Sequence, residues 1–133
     1  MTTRPRVYLA GPDVFLPHAG EHFALLRAIC DTLGLEALSP FDDTINASTP
    51  PQAIYAANMA MLRSAHGVAA NLAPFRGTEP DSGTVFEVGV AAALGIPVVG
   101  YGAVGVGANL STAALLADNA EEALQVLAGL LRQ

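Results

Sequence analysis

The chain has 133 residues, of which 52% are hydrophobic and 14% are charged, a balance that argues against disorder and predicts one domain over residues 1–133. The net charge of −6 and the absence of a basic patch argue against nucleic-acid binding. The single cysteine, Cys30, excludes an internal disulfide and a cysteine metal cluster, and the large apolar fraction favours a homodimer or higher homo-oligomer.

Predicted strands and helices alternate along the chain. Short apolar runs that end at turn residues predict the strands, and apolar residues three or four positions apart predict the helices. This order predicts an α/β fold, in which a parallel sheet of four to five strands is covered by helices on both faces. Such sheets bind ligands beyond the carboxyl ends of their strands. In chain order we expect strand 6–11, helix 17–33, strand 35–40, helix 51–65, strand 67–73, helix 82–94, strand 96–101 and helix 119–132.

The uncharged segment from Val88 to Ala117 is long enough to span a membrane. Pro97 and several glycines interrupt it, so we expect a helix, a strand and a loop of a buried core instead. Because the sequence shows no signal peptide, we expect a cytoplasmic protein without a membrane partner.

Glu87 is the one carboxylate inside the apolar part of the stretch FRGTEPDSGTVFEVGVAAALG. On the predicted helix its neighbours at helical spacing are Thr84, Ala91 and Leu94, none of which is charged. A buried carboxylate is costly, so Glu87 needs partners or a catalytic task. Asp81, just before the helix, is either a simple N-cap or the second member of a carboxylate pair. Such a pair suits chemistry at a glycosidic bond.

Two further polar side chains are predicted at buried positions. Asn58 falls in the apolar stripe of helix 51–65, so its amide needs partners, which are either a neighbouring loop or a ligand. Tyr8 lies in strand 6–11, which we expect to be buried on both faces. Its hydroxyl therefore needs either a backbone partner or a nearby carboxylate.

The sequence predicts neither a metal site nor a cofactor site. The segment HAGEH, residues 18–22, matches the H-x-x-E-H pattern of some zinc proteases, but a third ligand is not evident and Gly20 weakens the helix. The glycines of GAVGVGAN lack the G-x-G-x-x-G spacing of dinucleotide sites.

The segments VYLAGPDVF and NLAPFRGTEPDSGTVFEVGVAAALGIPVVGY, with an asparagine in the helix before the third strand, resemble the nucleoside 2-deoxyribosyltransferase family. The resemblance covers roughly residues 6–101. It implies a flavodoxin-like or Rossmann-like three-layer sandwich that forms a dimer or higher oligomer. It also implies an enzyme that moves a 2-deoxyribosyl group between nucleobases with retention. Its partners would be a deoxynucleoside and a free nucleobase, and it would need no metal or cofactor.

The resemblance also implies the roles of individual residues. Glu87 would be the nucleophile that attacks C1′ and forms a deoxyribosyl-enzyme intermediate, and Asp81 would protonate or hold the base. Tyr8 matches a tyrosine that orients the glutamate, and Asn58 matches a residue that contacts the sugar. Because Glu87 lies near a helix N-terminus, we expect the helix dipole to keep it ionised.

Further substrate contacts are predicted on loops at the same edge of the sheet. Gly11, Phe15 and Asp42 are assigned to substrate binding, the latter two to the base. Asn109 matches the asparagine of a family tail motif that reaches a neighbouring subunit's site. Ser111 replaces the methionine of that motif, and the stretch before Asn109 is shorter than is usual in the family.

Three functions follow from these observations. The first is the transferase, and the alternative is a related N-glycosidase that hydrolyses 2′-deoxynucleosides or their 5′-monophosphates. Asp13, in the first loop, argues against a phosphate-specific site, which would require hydrogen-bond donors there. The third is a noncatalytic nucleotide-binding domain, which would tolerate the loss of both carboxylates, whereas Glu87 and Asp81 are present.

Overall fold

The computed structural model describes residues 3–39 and 48–132. All eight predicted elements are confirmed, with somewhat narrower bounds. The strands are β1 (Arg6–Ala10), β2 (Glu36–Leu38), β3 (Gly67–Asn71), β4 (Val98–Tyr101) and β5 (Leu115–Ala117). The helices are α1 (Ala19–Thr32), α2 (Pro51–Ser64), α3 (Ser82–Ala93), α4 (Ala108–Ala113) and α5 (Ala120–Leu131), and a 3-10 turn occupies Pro12–Phe15.

The five strands form one parallel sheet in the order β2-β1-β3-β4-β5. Helices cover both faces, so the predicted three-layer, flavodoxin-like α/β fold is confirmed. The chain adds strands on one side of β1 and then on the other, so the order reverses between β1 and β3. The connections leave the sheet in opposite directions at this point, and a crevice opens at the carboxyl edge.

Side chains alternate along β1 between two separate apolar cores. Val7 and Leu9 pack with α1 and α5, whereas Tyr8 and Ala10 pack with α2 and α3. The alternation therefore directs Tyr8 toward the face of the sheet on which α3 carries Glu87.

Helix α4 and strand β5 lie where the sequence predicts only a glycine-rich loop and its continuation. Leu115 and Leu116 of β5 are half exposed, so the strand has no buried apolar pattern. Pairing with β4, in which Val99 lies opposite Leu115, defines it. Backbone pairing with the neighbouring strand determines a strand this short at the sheet edge. A local sequence pattern therefore does not predict it.

The uncharged segment from Val88 to Ala117 folds into the second half of α3 followed by β4, α4 and β5. Within residues 3–39 and 48–132, no helix combines the length and the apolar character that crossing a membrane requires.

Candidate active site

A cavity of about 290 Å³ lies between β1, α2 and α3, at the carboxyl edge of the sheet. Its position matches the crevice expected where the strand order reverses. Six of the eight residues that the sequence analysis assigned to the site line this cavity: Tyr8, Gly11, Phe15, Asn58, Asp81 and Glu87.

The hydroxyl of Tyr8 donates a hydrogen bond of 2.6 Å to Oε2 of Glu87. Of the two partners that the sequence analysis left open for Tyr8, the carboxylate is therefore the one observed. Burial raises the pKa of Tyr8 far above its ordinary value of 10.0, and the negative charge of Glu87 raises it further. Tyr8 therefore remains a hydrogen-bond donor at any physiological pH.

Glu87 is held in an environment that disfavours its charge. Burial raises the pKa of Glu87 above the ordinary 4.5, the hydrogen bond from Tyr8 lowers it, and the charge of Asp81 raises it again. The expectation that the helix dipole keeps Glu87 ionised is wrong, because Glu87 is the sixth residue of α3 and the dipole effect fades within the first turn. Tyr8 takes the place of the dipole as the group that favours the anion.

Asp81 is the N-cap of α3. Its Oδ2 accepts hydrogen bonds from the backbone N–H and the hydroxyl of Thr84, both at 2.9 Å. The simple capping interpretation is thus confirmed, yet the same carboxylate also lines the cavity beside Glu87. Because the cap uses only Oδ2, Oδ1 has no partner among the residues that the structure describes. One carboxylate can therefore fix the helix and face a ligand.

Asn58 lies on α2, and its Oδ1 is buried without a hydrogen-bond partner among residues 3–39 and 48–132. An acceptor that is buried on folding loses its hydrogen bonds to water, and this lowers the stability of the protein unless another donor replaces the water. The described residues supply no loop contact of the kind left open by the sequence analysis. Asn58 itself lines the cavity, so this buried acceptor lies close to the cavity surface.

Phe15, which lines the cavity, belongs to an aromatic cluster that also contains a cation. The rings of Phe15 and Phe75 stack with centroids 5.8 Å apart. The guanidinium of Arg76 lies 5.2 Å from the Phe15 centroid and 4.7 Å from that of Phe75, within the range of cation–π attraction. Sequence reasoning missed Phe75 and Arg76, although the stretch PFRG places them directly after the third predicted strand.

Comparison with known proteins adds the family. The family model of nucleoside 2-deoxyribosyltransferases matches residues 7–115, which contain every cavity residue named above. The chain belongs to this family.

Two known proteins resemble this chain of the deoxyribosyltransferase family over about three quarters of its length. A Schizosaccharomyces pombe protein described as uncharacterized protein C191.05c is 35% identical over 104 residues, which are 73% of this chain and 49% of that protein. A 2-desoxiribosyltransferase from Leishmania mexicana is 38% identical with a TM-score of 0.66, over 73% of this chain and 63% of that one. The chain thus spans about half to two thirds of the length of these relatives.

A more distant member of the same fold is a CMP N-glycosidase, BcmB, from Clostridium botulinum. It is 18% identical to this chain with a TM-score of 0.62, over 92% of this chain and 97% of that one. At this identity the likeness shows the fold alone. A transferase and a glycosidase are thus both built on this fold, and the fold does not separate these two activities.

One predicted site residue that the structure describes does not line the cavity of this deoxyribosyltransferase-family chain. Asn109 lies exposed on α4 and is not among the cavity residues. Asp42 lies outside the described residues.

The histidines of HAGEH take up different contacts. Nε2 of His22 lies 2.5 Å from Oδ2 of Asp13, and His18 precedes α1 as its N-cap residue without capping it through its side chain. In the described part of the chain, no group of three or more His, Cys, Asp or Glu side chains is arranged to hold a metal ion.

Proposed function

We propose that this chain is a nucleoside 2-deoxyribosyltransferase that exchanges nucleobases on 2′-deoxyribonucleosides with retention. The observation that carries the proposal is the pairing of Glu87 with Tyr8 over 2.6 Å inside a cavity that Asp81 and Asn58 also line. The 38% identity to the Leishmania mexicana 2-desoxiribosyltransferase supports the same activity.

In the first step, Oε1 of Glu87 attacks C1′ of the sugar while the bond from C1′ to the base nitrogen breaks. The electron pair of that bond leaves with the base, and the base takes a proton that Asp81 passes on from water, so that Asp81 is a carboxylate between turnovers. Tyr8 occupies Oε2, so it fixes the carboxylate rotamer and leaves Oε1 for the attack. Burial makes the Glu87 anion costly, and this free-energy cost disappears when the carboxylate becomes a neutral ester.

In the second step, an incoming base attacks C1′ from the face that the first base left, while Asp81 takes up a proton. Two displacements at one carbon give net retention. Asn58 supports both steps, because its Oδ1, which has no partner among the described residues, serves as an acceptor for a sugar hydroxyl. Water in place of the second base gives hydrolysis.

Incubation with deoxyinosine, with and without adenine, tests the proposal. New deoxyadenosine in the presence of adenine identifies a transferase, and hypoxanthine alone identifies a hydrolase. The absence of turnover would favour a noncatalytic binding domain. Glu87→Ala should abolish turnover, whereas Glu79→Ala, an exposed carboxylate outside the cavity, should leave it unchanged. Turnover retained in Glu87→Ala would overturn the assigned nucleophile.

A specific observation favours the N-glycosidase acting on 5′-monophosphates as the second candidate. The sequence argument that Asp13 disfavours a phosphate is wrong, because this carboxylate is buried and does not line the cavity. The guanidinium of Arg76 does not line the cavity either, but it lies 5.2 Å from the ring centroid of Phe15, which does, so a cation is present next to the site. Turnover of deoxyinosine 5′-monophosphate at a higher kcat/KM than deoxyinosine, without base exchange, would select this activity.

We also propose that the functional unit is a homodimer or larger. Tyr55 and Phe86 both line the cavity and remain 56% and 50% exposed, with ring centroids 6.3 Å apart. A second copy that covers them would close the cavity to water and bring Asn109 near a neighbouring site. Light scattering on the purified chain tests this, and a monomer at micromolar concentration would contradict it.

A further inference from the structure

Asp13 is a buried carboxylate that the proposed mechanism does not use. It lies in the 3-10 turn after β1, is only 4% exposed and is absent from the cavity lining. A carboxylate at this depth must be compensated by hydrogen bonds or an opposite charge. Nδ2 of Asn71 donates a hydrogen bond of 3.0 Å to its Oδ1, and Nε2 of His22 lies 2.5 Å from its Oδ2.

These two contacts join three elements that are far apart in sequence. Asn71 is the last residue of β3, and His22 lies in the first turns of α1. Oδ1 of Asn71 in turn accepts a hydrogen bond of 3.1 Å from the backbone N–H of Ala73. Asp13 is therefore linked through one side chain to the loop that leaves β3. Burial raises the pKa of Tyr101, which lies opposite Asn71 in the sheet, and the nearby charge of Asp13 raises it further.

The packing around Gly11 shows how closely these groups approach each other. A methyl group at Gly11 would collide with the carboxylate of Asp13 and would lie 2.8 Å from Cβ of Asn71. Gly11 itself lines the cavity, so the Asp13–Asn71 contact lies directly behind the backbone that a substrate touches.

The same two loops meet again at Phe15, which lines the cavity. Phe15, two residues after Asp13, stacks on Phe75, two residues after Ala73, and Arg76 covers both rings. Arg76 is held at a φ of 52°, a conformation that a non-glycine residue adopts only where its surroundings fix it. The loop is closed by the N–H of Phe75, which donates to the carbonyl of Glu79 over 2.8 Å.

We propose that Asp13 is a positioning residue, whose carboxylate ties the turn after β1 to the end of β3 and so keeps Phe15, which forms part of the cavity wall, stacked on Phe75. It acts through Phe15 and touches no substrate. Its kinetic consequence rests on the proposed function, because it is measured with a deoxynucleoside, whereas its structural consequence does not.

Asp13→Ala removes both contacts. We expect the amide of Ala73 to exchange with deuterium about ten-fold faster, because its acceptor Asn71 is then released. We expect the KM for the deoxynucleoside to rise about ten-fold with kcat little changed, because a displaced wall weakens binding rather than attack. Asp31→Ala is the matched control, since this carboxylate pairs with Arg4 on the surface and lies far from the cavity.

Asp13→Asn should have a KM closer to that of the wild type than Asp13→Ala has, since an amide oxygen still accepts a hydrogen bond from Asn71. In a Phe15→Ala background, Asp13→Ala should add no further rise in KM if it acts through that ring. If Asp13→Ala does not fold, His22→Leu removes one of the two contacts by changing the more exposed partner. It should likewise raise the exchange rate of the Ala73 amide and the KM.

Unchanged exchange at Ala73 in Asp13→Ala would overturn the proposal. So would a KM increase of equal size with and without Phe15, since that would indicate general loss of structure. If the wild-type chain turns over no deoxynucleoside, the proposed function fails, and the exchange comparison still decides whether Asp13 holds the wall.

Discussion

Tyr8 and Glu87 are separated by 79 residues in the sequence, and a hydrogen bond of 2.6 Å joins their side chains. Tyr8 is on β1 and Glu87 is on α3, so the contact depends on the packing of α3 against the sheet. The bond works against two effects that disfavour the carboxylate anion, which are burial and the charge of Asp81. Tyr8 thus holds Oε2 of Glu87 in place and partly offsets the effects that disfavour its anion.

Tyr8→Phe removes the hydroxyl and keeps the ring that packs in the core. A hydrogen bond to a charged group contributes about 1.5–3 kcal/mol, so we expect kcat/KM to fall by about ten- to a hundred-fold. The acid limb of the pH–rate profile should also move to higher pH, because the bond lowers the pKa of Glu87. Steady-state kinetics over a pH series measures both effects.

A Tyr8→Phe variant with an unchanged acid limb would contradict this assignment. The melting temperature serves as the control, because a fall in activity without loss of folded protein separates the hydroxyl's effect on Glu87 from damage to the core.

The charge on Glu87 should make stability depend on pH. Burial raises the pKa of Glu87 above 4.5, so the folded protein holds this proton more tightly than the unfolded chain. Its contribution is then fully present below about pH 4.5 and is lost as pH rises through the raised value. Glu87→Gln cannot ionise, so we expect it to be more stable than the wild type at about pH 8 and to differ less at about pH 4.

Chemical denaturation of both proteins at the two pH values measures this. Glu79→Gln, in an exposed loop position, provides the control for loss of a carboxylate as such. A stability difference between Glu87→Gln and wild type that does not change with pH would show that the folded protein does not disfavour the anion.

Much of this site was predictable because its residues are exceptions to local rules. Glu87 is a carboxylate in an apolar run, and Asn58 is an amide in an apolar stripe. Burial of a polar group calls for a compensating partner, so each exception indicated a site before the fold was known. The alternation of strands and helices then placed both at the carboxyl edge of one sheet.

The features that sequence reasoning missed depend on tertiary contacts. The sequence suggests that Asp13 is a loop carboxylate near the ligand. In the structure its carboxylate instead contacts Asn71 and His22 and does not line the cavity. In the sequence Phe75 and Arg76 have no feature that distinguishes them from other loop residues. Their role depends on contact with Phe15, which the turn after β1 carries. No local spacing records such contacts, because the partners come from separate elements.

Asn58→Leu should separate stability from function. Leucine has a similar volume and no buried acceptor, so we expect the free energy of unfolding to stay equal or rise by about 1–3 kcal/mol. Substrate binding should weaken, because the sugar hydroxyl loses its acceptor. Urea denaturation and KM measure the two effects. A variant that is strongly destabilised would show that Oδ1 has a structural partner and would contradict its role as a ligand contact.

Asp81 combines two roles that two substitutions can separate. Asparagine caps helices as well as aspartate does, so Asp81→Asn should keep the hydrogen bonds to Thr84 and the stability of α3. It cannot exchange a proton with the base, so turnover should fall by about a hundred-fold or more. Asp81→Ala removes the cap as well and should cost about 1 kcal/mol in addition.

The comparison of these two variants distinguishes the roles. Equal stability of Asp81→Asn and wild type, with lost turnover, identifies a carboxylate that acts on the substrate. Full turnover in Asp81→Asn would mean that Asp81 serves α3 alone, as an N-cap that happens to line the cavity. Asn119→Ala, which removes the N-cap of α5 far from Glu87, shows how much activity falls when a cap is lost elsewhere.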